Sequence, residues 1–221
     1  MRSQHETVGP TSAAATVANV LRERILHGEL VGGERVPQDA VATQLNVSQM
    51  IVREAFKQLV MEGFLRAEPR RGVRVTSLSI DEVAEMTELR SLIEAKALEW
   101  AIPRMSKSDL ERAGRILTDL DKARSTDRVI HLNAQFHESL YAPSGKARTL
   151  SMITTLRMNF ERYLRYTWEE TPHLNQSQKE HREILELCIA KDAKRACALL
   201  KQHISGTGSL LMERLKSTEV K

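Results

Sequence analysis

Three histidines in the second half of the chain, His137, His181 and His203, fall on apolar faces of segments with helical periodicity. Spacings of three and four residues put Asn133, Phe136, His137, Leu140 and Tyr141 on one face. They put His181, Ile184, Leu185 and Cys188 on a second, and Ala196, Leu199, Leu200, His203 and Ile204 on a third. An inward imidazole needs a partner, because burying an unsatisfied polar group opposes folding. One such histidine suggests a hydrogen-bonded core residue. Three in one helical segment point to a bound metal ion, since neutral imidazole is the commonest protein ligand for transition metals. Asn133 lies one turn before His137 and can offer an amide oxygen to the same ion. That donor set suits a divalent first-row ion, zinc or nickel foremost.

Arg90 raises a related question. It shares a stripe with Met86, Leu89, Ile93 and Ala97, and a buried guanidinium needs an anion whose geometry matches its fork. Glu94, four residues on, is one partner; the carboxylate of a bound small molecule is the other. Arg90 and Glu94 are therefore the candidate effector-binding pair. The two cysteines, Cys188 and Cys197, form no CxxC pair and read as reduced thiols of a cytoplasmic protein.

The elements that must position these residues divide into two groups. Val17, Val20, Leu21, Ile25 and Leu26 give a helical stripe ending near Gly28, and Gly32-Gly33 marks a turn. A short helix is expected from Gln38 to Leu45, then a tight turn at Asn46-Val47. Ser48 can cap the helix that follows, which runs to about Met61 and stops at Gly63 in a left-handed cap. Leu65–Glu68 and Val73–Thr76 read as strands joined through Pro69-Arg70-Arg71-Gly72, a hairpin. Helix, helix, turn, helix, hairpin is the order of a winged helix-turn-helix. On its third helix Val52, Ala55, Phe56, Leu59 and Val60 face the core. Gln49, Met50, Arg53 and Lys57 share the opposite face, where a helix in the major groove meets base edges. Arg70, Arg71 and Gly72 at the hairpin tip suit phosphates or the minor groove. Residues 49 to 76 hold six basic side chains (Arg53, Lys57, Arg66, Arg70, Arg71, Arg74) against three acidic ones (Glu54, Glu62, Glu68), which favours DNA over plain solvation.

Residues 1–10 read as a disordered leader, 11–76 as the DNA-binding domain, 77–80 as a linker and 81–221 as an all-helical bundle of five to seven helices. Capping boxes are expected at Ser79 with Glu82 and at Ser177 with Glu180. Breaks fall at Pro103, with Ser106 and Asp109 beyond it, at Pro143-Ser144-Gly145 and at Thr171-Pro172. The composition of the 221 residues agrees with a mainly helical chain: 41% hydrophobic, 28% charged and only 4% aromatic. The net charge of +4 permits an anionic partner without requiring one. No apolar run approaches the length of a membrane span.

Gly33-Glu-Arg35-Val36, Leu45-Asn-Val-Ser48, Val52-Arg-Glu-Ala-Phe56, Leu59, Glu62-Gly-Phe64 and Arg71-Gly-Val73 together resemble the winged-helix domain of GntR-family bacterial transcription regulators. Glu88-Leu-Arg90 with Glu94, Asn133-x-x-Phe-His137, Glu180-His181-Arg-x-Ile184, Asp192 and His203-Ile204 resemble the FCD effector domain of that family's FadR branch. The resemblance covers nearly the whole chain. It implies a homodimer on a partly two-fold operator, with Arg35, Ser48, Gln49, Met50, Arg53, Lys57, Arg70, Arg71 and Gly72 at the DNA. It implies a divalent metal on Asn133, His137, His181 and His203, with a small organic acid completing its coordination beside Arg90. Two departures stand out. The stretch Ser48-Gln-Met-Ile-Val-Arg-Glu54 has Gln49 where the family usually carries an arginine that reads guanine, and Asn133 is neutral where many relatives carry a carboxylate.

The expected function is a ligand-responsive transcriptional repressor. The rival is a helical metalloenzyme, since three histidines with open coordination positions can activate water. Against it, no acid/base residue stands beside the histidines at a spacing such as that of the HExxH glutamate.

Overall fold

The computed structural model describes residues 12–77, 79–167 and 173–219. The expected leader at 1–10, the break at Thr171-Pro172 and Leu78 of the expected linker lie outside them. The fold is mainly α, and the chain splits into two compact units, residues 1–77 and 78–221.

In the first unit, α1 spans Ala13–Leu26 and is capped by Ser12, whose hydroxyl accepts a bond from the Ala15 amide at 3.2 Å. Its buried stripe is Val17, Ala18, Leu21, Ile25 and Leu26; Val20 is 37% exposed and does not belong to it. β1 covers Arg35–Val36, α2 Gln38–Gln44, α3 Gln49–Met61, β2 Leu65–Glu68 and β3 Gly72–Val75. The strands form an antiparallel sheet in the order β1-β3-β2, so the wing has three strands rather than the expected two. β1 escapes sequence reading because two residues show no alternation. β3 opens at Gly72, paired with Glu68, one residue before its expected start. The tip makes this possible: Arg70 (φ 63°) and Gly72 (φ 88°) both take left-handed backbone and turn the chain at once. Asn46 (φ 51°) and Gly63 (φ 82°) turn the chain before and after α3. Val52, Ala55, Leu59, Phe64 and Val75 are fully buried beneath α1 and the sheet.

In the second unit, α4 spans Ile80–Ala101, α5 Lys107–Lys122, α6 Thr126–Tyr141, α7 Ala147–Thr167, α8 His173–Ile189 and α9 Ala193–Glu219. Ser106 and Asp109 form a reciprocal capping box at the start of α5, and short 3₁₀ turns carry Pro103 and Pro143. The Ser79 cap is built differently. Its hydroxyl accepts from the Glu82 amide at 3.4 Å, but Glu82 does not reach back. The Tyr163 phenol from α7 stands between them, accepting from the Ser79 amide (3.2 Å) and donating to the Glu82 carboxylate (2.7 Å). Ser177 is not a cap at all, because α8 begins one turn earlier, at His173. Glu180 is instead turned toward α9. On α4 Leu89 is 44% exposed, outside the buried stripe that holds Arg90. α4 and α9 approach closely at Gly208, where a β-carbon would collide with Thr87 Oγ1. Among the described residues no helix is long and apolar enough to cross a membrane.

Candidate metal centre and nucleic-acid interface

His137 from α6, His181 from α8 and His203 from α9 are buried side by side in the second unit, with ring centroids 4.6 to 5.3 Å apart. One ligand nitrogen from each lies within 4.8 Å of the other two. The Nδ1 partners decide what those nitrogens offer. His203 Nδ1 lies 2.8 Å from the Glu180 carboxylate and His181 Nδ1 3.1 Å from the Gln178 amide oxygen; both partners only accept, so both rings carry their proton on Nδ1. His137 Nδ1 lies 3.1 Å from the Tyr141 hydroxyl, whose own proton goes to Glu94 Oε2 at 2.7 Å. The Tyr141 oxygen is thereby left to accept from His137. All three Nε2 atoms are lone-pair donors, and those of His181 and His203 stand 3.2 Å apart.

Two lone pairs at that separation require something positive between them. Burial, reinforced by Arg157 and the neighbouring imidazoles, holds His137 well below the usual histidine range, and burial with His203 and Arg157 does the same to His181, so these two rings resist a second proton. A divalent cation fits, with a carboxylate, an amide and a phenol fixing the ring orientations behind the three nitrogens. Asn133 is half-buried and lines the same cavity of about 60 Å³ as the three histidines.

Arg90, Arg157 and Phe160 form another part of that cavity's wall. Arg90 donates through Nε to Glu94 Oε1 at 2.7 Å and lies with its guanidinium carbon 4.4 Å from the centre of the Phe160 ring. Glu94 holds Nε, while among the described residues neither Nη has an acceptor. Glu94 is fully buried and also takes bonds from Tyr141 and from Arg157 Nη1 at 3.2 Å. Burial alone would raise its pKa, but Arg90 and Arg157 outweigh it and keep the carboxyl below the usual range. Glu94 thus organises the wall.

Arg157, Tyr141, Gln178 and Glu180 are parts of the site that sequence reasoning did not assign. Arg157 was detectable by the logic applied to the histidines, since it sits four residues after Ile153 and three before Phe160, both buried. Tyr141 was visible on the His137 face, though its phenol had no evident task.

In the first unit, an open groove of about 730 Å³ between α3 and the wing is lined by Arg35, Arg53, Lys57, Arg71 and Gly72 together. Ser48, Gln49, Met50 and Arg70 are exposed but do not line it. Ser48 is occupied as the cap of α3, accepting from the Ile51 amide at 3.4 Å. Lys57 is paired with Glu54 at 2.8 Å, which lowers the pKa of that exposed carboxyl. Arg74 bonds Glu68 and the Gly33 carbonyl, both at 2.9 Å, and Arg66 lies 3.6 Å from Glu68. Of the six basic residues between 49 and 76, Arg53, Arg70 and Arg71 have no ion pair among the described residues.

The FCD domain model matches residues 85–206, and the model of bacterial regulatory proteins of the gntR family matches residues 13–75. The chain is 28% identical over 206 residues to the uncharacterized HTH-type transcriptional regulator BphR of Paraburkholderia xenovorans, covering 87% of this chain and 82% of that protein. It is 24% identical over 195 residues to the HTH-type transcriptional repressor GlaR of Escherichia coli, covering 83% and 89%. The solved structure of McbR/YncC from E. coli shares the fold with a TM-score of 0.79 at 23% identity, covering 92% of this chain and 99% of that one.

Proposed function

Because the chain belongs to the gntR family of bacterial regulatory proteins that carry an FCD domain, and is a DNA-binding transcription regulator and not an enzyme, we propose that it is a metal-dependent, acid-responsive repressor. It acts in the cytoplasm as a homodimer on a partly two-fold operator. His137, His181, His203 and Asn133 hold a divalent ion, zinc or nickel. The observation that carries this reading is the set of three Nε2 lone pairs converging in one buried cavity, each fixed by an Nδ1 partner.

When bound, the ion supplies open coordination positions to a small organic acid. Arg90 offers its two Nη groups to the same acid, a bidentate geometry that a carboxylate matches. Glu94 holds Arg90 in place, and Arg157 raises the positive charge of the wall. The acid must favour one arrangement of the regulator over another, because only differential affinity shifts an equilibrium. The relative GlaR, named a repressor, supports that sign of regulation. Arg53 meets base edges, while Arg35, Arg70 and Arg71 meet phosphates.

Elemental analysis of gently purified protein is expected to find about one divalent ion per chain. Chelation should lower the melting temperature, and zinc or nickel should restore it, because a ligand of the folded state stabilises that state by mass action. His181→Ala should abolish the metal-dependent shift and leave DNA binding intact. Arg53→Ala should weaken specific binding by about 1–3 kcal/mol, and Arg71→Ala should weaken binding evenly across sequences. No co-purified metal and no shift with any added ion would remove the metal from this reading.

A further inference from the structure

The first turn of α3 presents three side chains with nothing of their own domain to do. Gln49 is exposed, and among the described residues its side-chain amide has no hydrogen-bond partner. Met50 is 68% exposed. Arg53 is exposed and, among the described residues, has no ion pair. The fourth residue of this face, Lys57, is held by Glu54 at 2.8 Å. The backbone of the turn is fixed from both sides, by the Ser48 cap and by Gln38, whose amide donates to the Gln49 carbonyl at 2.9 Å. The three side chains thus project from a rigid platform.

Their chemistry differs in a way base edges can distinguish. A glutamine amide carries one donor and one acceptor, the complement of adenine N6 and N7. A guanidinium carries donors only, the complement of guanine O6 and N7. A thioether chain carries neither and gains by covering the thymine methyl. Gln49 and Arg53 are one turn apart, about 6 Å along the helix axis, which is close to two base-pair steps of about 3.4 Å.

Building on the DNA-binding reading above, we propose that this turn selects an A·T element. Gln49 reads adenine, Met50 packs on a thymine methyl, and Arg53 reads a guanine within two base pairs of them. The operator half-site is accordingly an A·T-containing one at the position that residue 49 faces.

The test is selection of duplexes from a random pool by the intact wild-type chain and by the Gln49→Arg and Met50→Ser variants. Anisotropy titration of the selected duplexes follows, with melting curves confirming that the variants fold. Wild type should enrich adenine at one defined position beside a guanine. Changing that adenine to guanine should weaken wild type by about 5- to 150-fold, whereas Gln49→Arg should prefer the guanine. Replacing the neighbouring thymine by uracil removes only the methyl; it should weaken wild type and leave Met50→Ser unaffected. Enrichment of guanine by wild type at the position that changes in Gln49→Arg would overturn the proposal, as would a Gln49→Arg variant with unchanged preference. Indifference of wild type to uracil would overturn the Met50 contact. If no duplex is enriched and Arg53→Ala binds like wild type, the DNA-binding reading of this face falls and takes the proposal with it.

Discussion

Glu94 is one of three buried groups that make the helical unit sensitive to falling pH. Its carboxylate is buried among Arg90, Arg157 and Tyr141. Its folded-state pKa is depressed, so the stability it contributes is complete above the unfolded carboxyl pKa and lost as pH falls through the folded value. His137 and His181 act in the same direction at higher pH. Both are depressed when folded, so below about pH 6.5 the unfolded chain binds protons that the folded chain refuses. Metal-free protein should therefore lose stability as pH drops from about 6.5, each imidazole contributing up to about 1.4 kcal/mol per pH unit. Melting curves between pH 8 and 5 check this, and a flat profile would contradict the buried neutral state. Glu94→Gln leaves the buried Arg90 and the half-buried Arg157 guanidiniums facing an amide and should destabilise by about 3–5 kcal/mol. The histidines were legible because a polar residue on an apolar face is conspicuous. Arg157 could be placed on a buried face by the same logic, but not its task, because that depends on Glu94, which lies 63 positions away in the chain.

At the scale of elements, boundaries were legible wherever a local signal marked them. Pro103 with the Ser106–Asp109 box and Pro143-Ser144-Gly145 both fall between helices, as their backbone chemistry requires. Local signals misled at Ser177, whose spacing to Glu180 imitates a capping box while α8 already runs through it. Glu180 had a long-range use, the His203 imidazole at 2.8 Å. Gly208 is the converse case: a glycine within α9 that helix propensity would replace. Alanine is normally better in a helix by about 1 kcal/mol. Here its methyl would collide with the Thr87 side chain, so Gly208→Ala should instead destabilise by about 1–3 kcal/mol, as overpacking does. Adding Thr87→Ala should recover part of the loss. A Gly208→Ala protein that melts at or above wild type would show that α4 and α9 can separate at no penalty.

For the whole molecule, the periodicity changes from mixed to purely helical near residue 77, where the chain divides into its two compact units. Leu89, Leu92, Met152 and Ile189 are exposed apolar side chains of the helical unit. We expect residues 79–221 alone to be dimeric, and residues 1–76 alone to be monomeric and to bind DNA weakly. Light scattering of the two fragments checks this, and a folded but monomeric 79–221 fragment would oppose it.

The Tyr163 phenol turns one backbone amide into a clock. Ser79 is the last residue before α4, and its N–H is shielded by a hydroxyl from a helix 84 positions along the chain. That same helix carries Arg157 and Phe160 in the cavity wall. The rate at which the Ser79 proton exchanges with heavy water therefore measures how long α7 stays docked against the start of α4. Tyr163→Phe should speed that exchange while amides in the middle of α4 keep their slow rates. Under the metal-binding reading proposed above, zinc added to the chelated protein should slow the Ser79 exchange in wild type and leave it fast in Tyr163→Phe, so occupancy of the histidine cavity would be timed at a single backbone amide without knowing any operator.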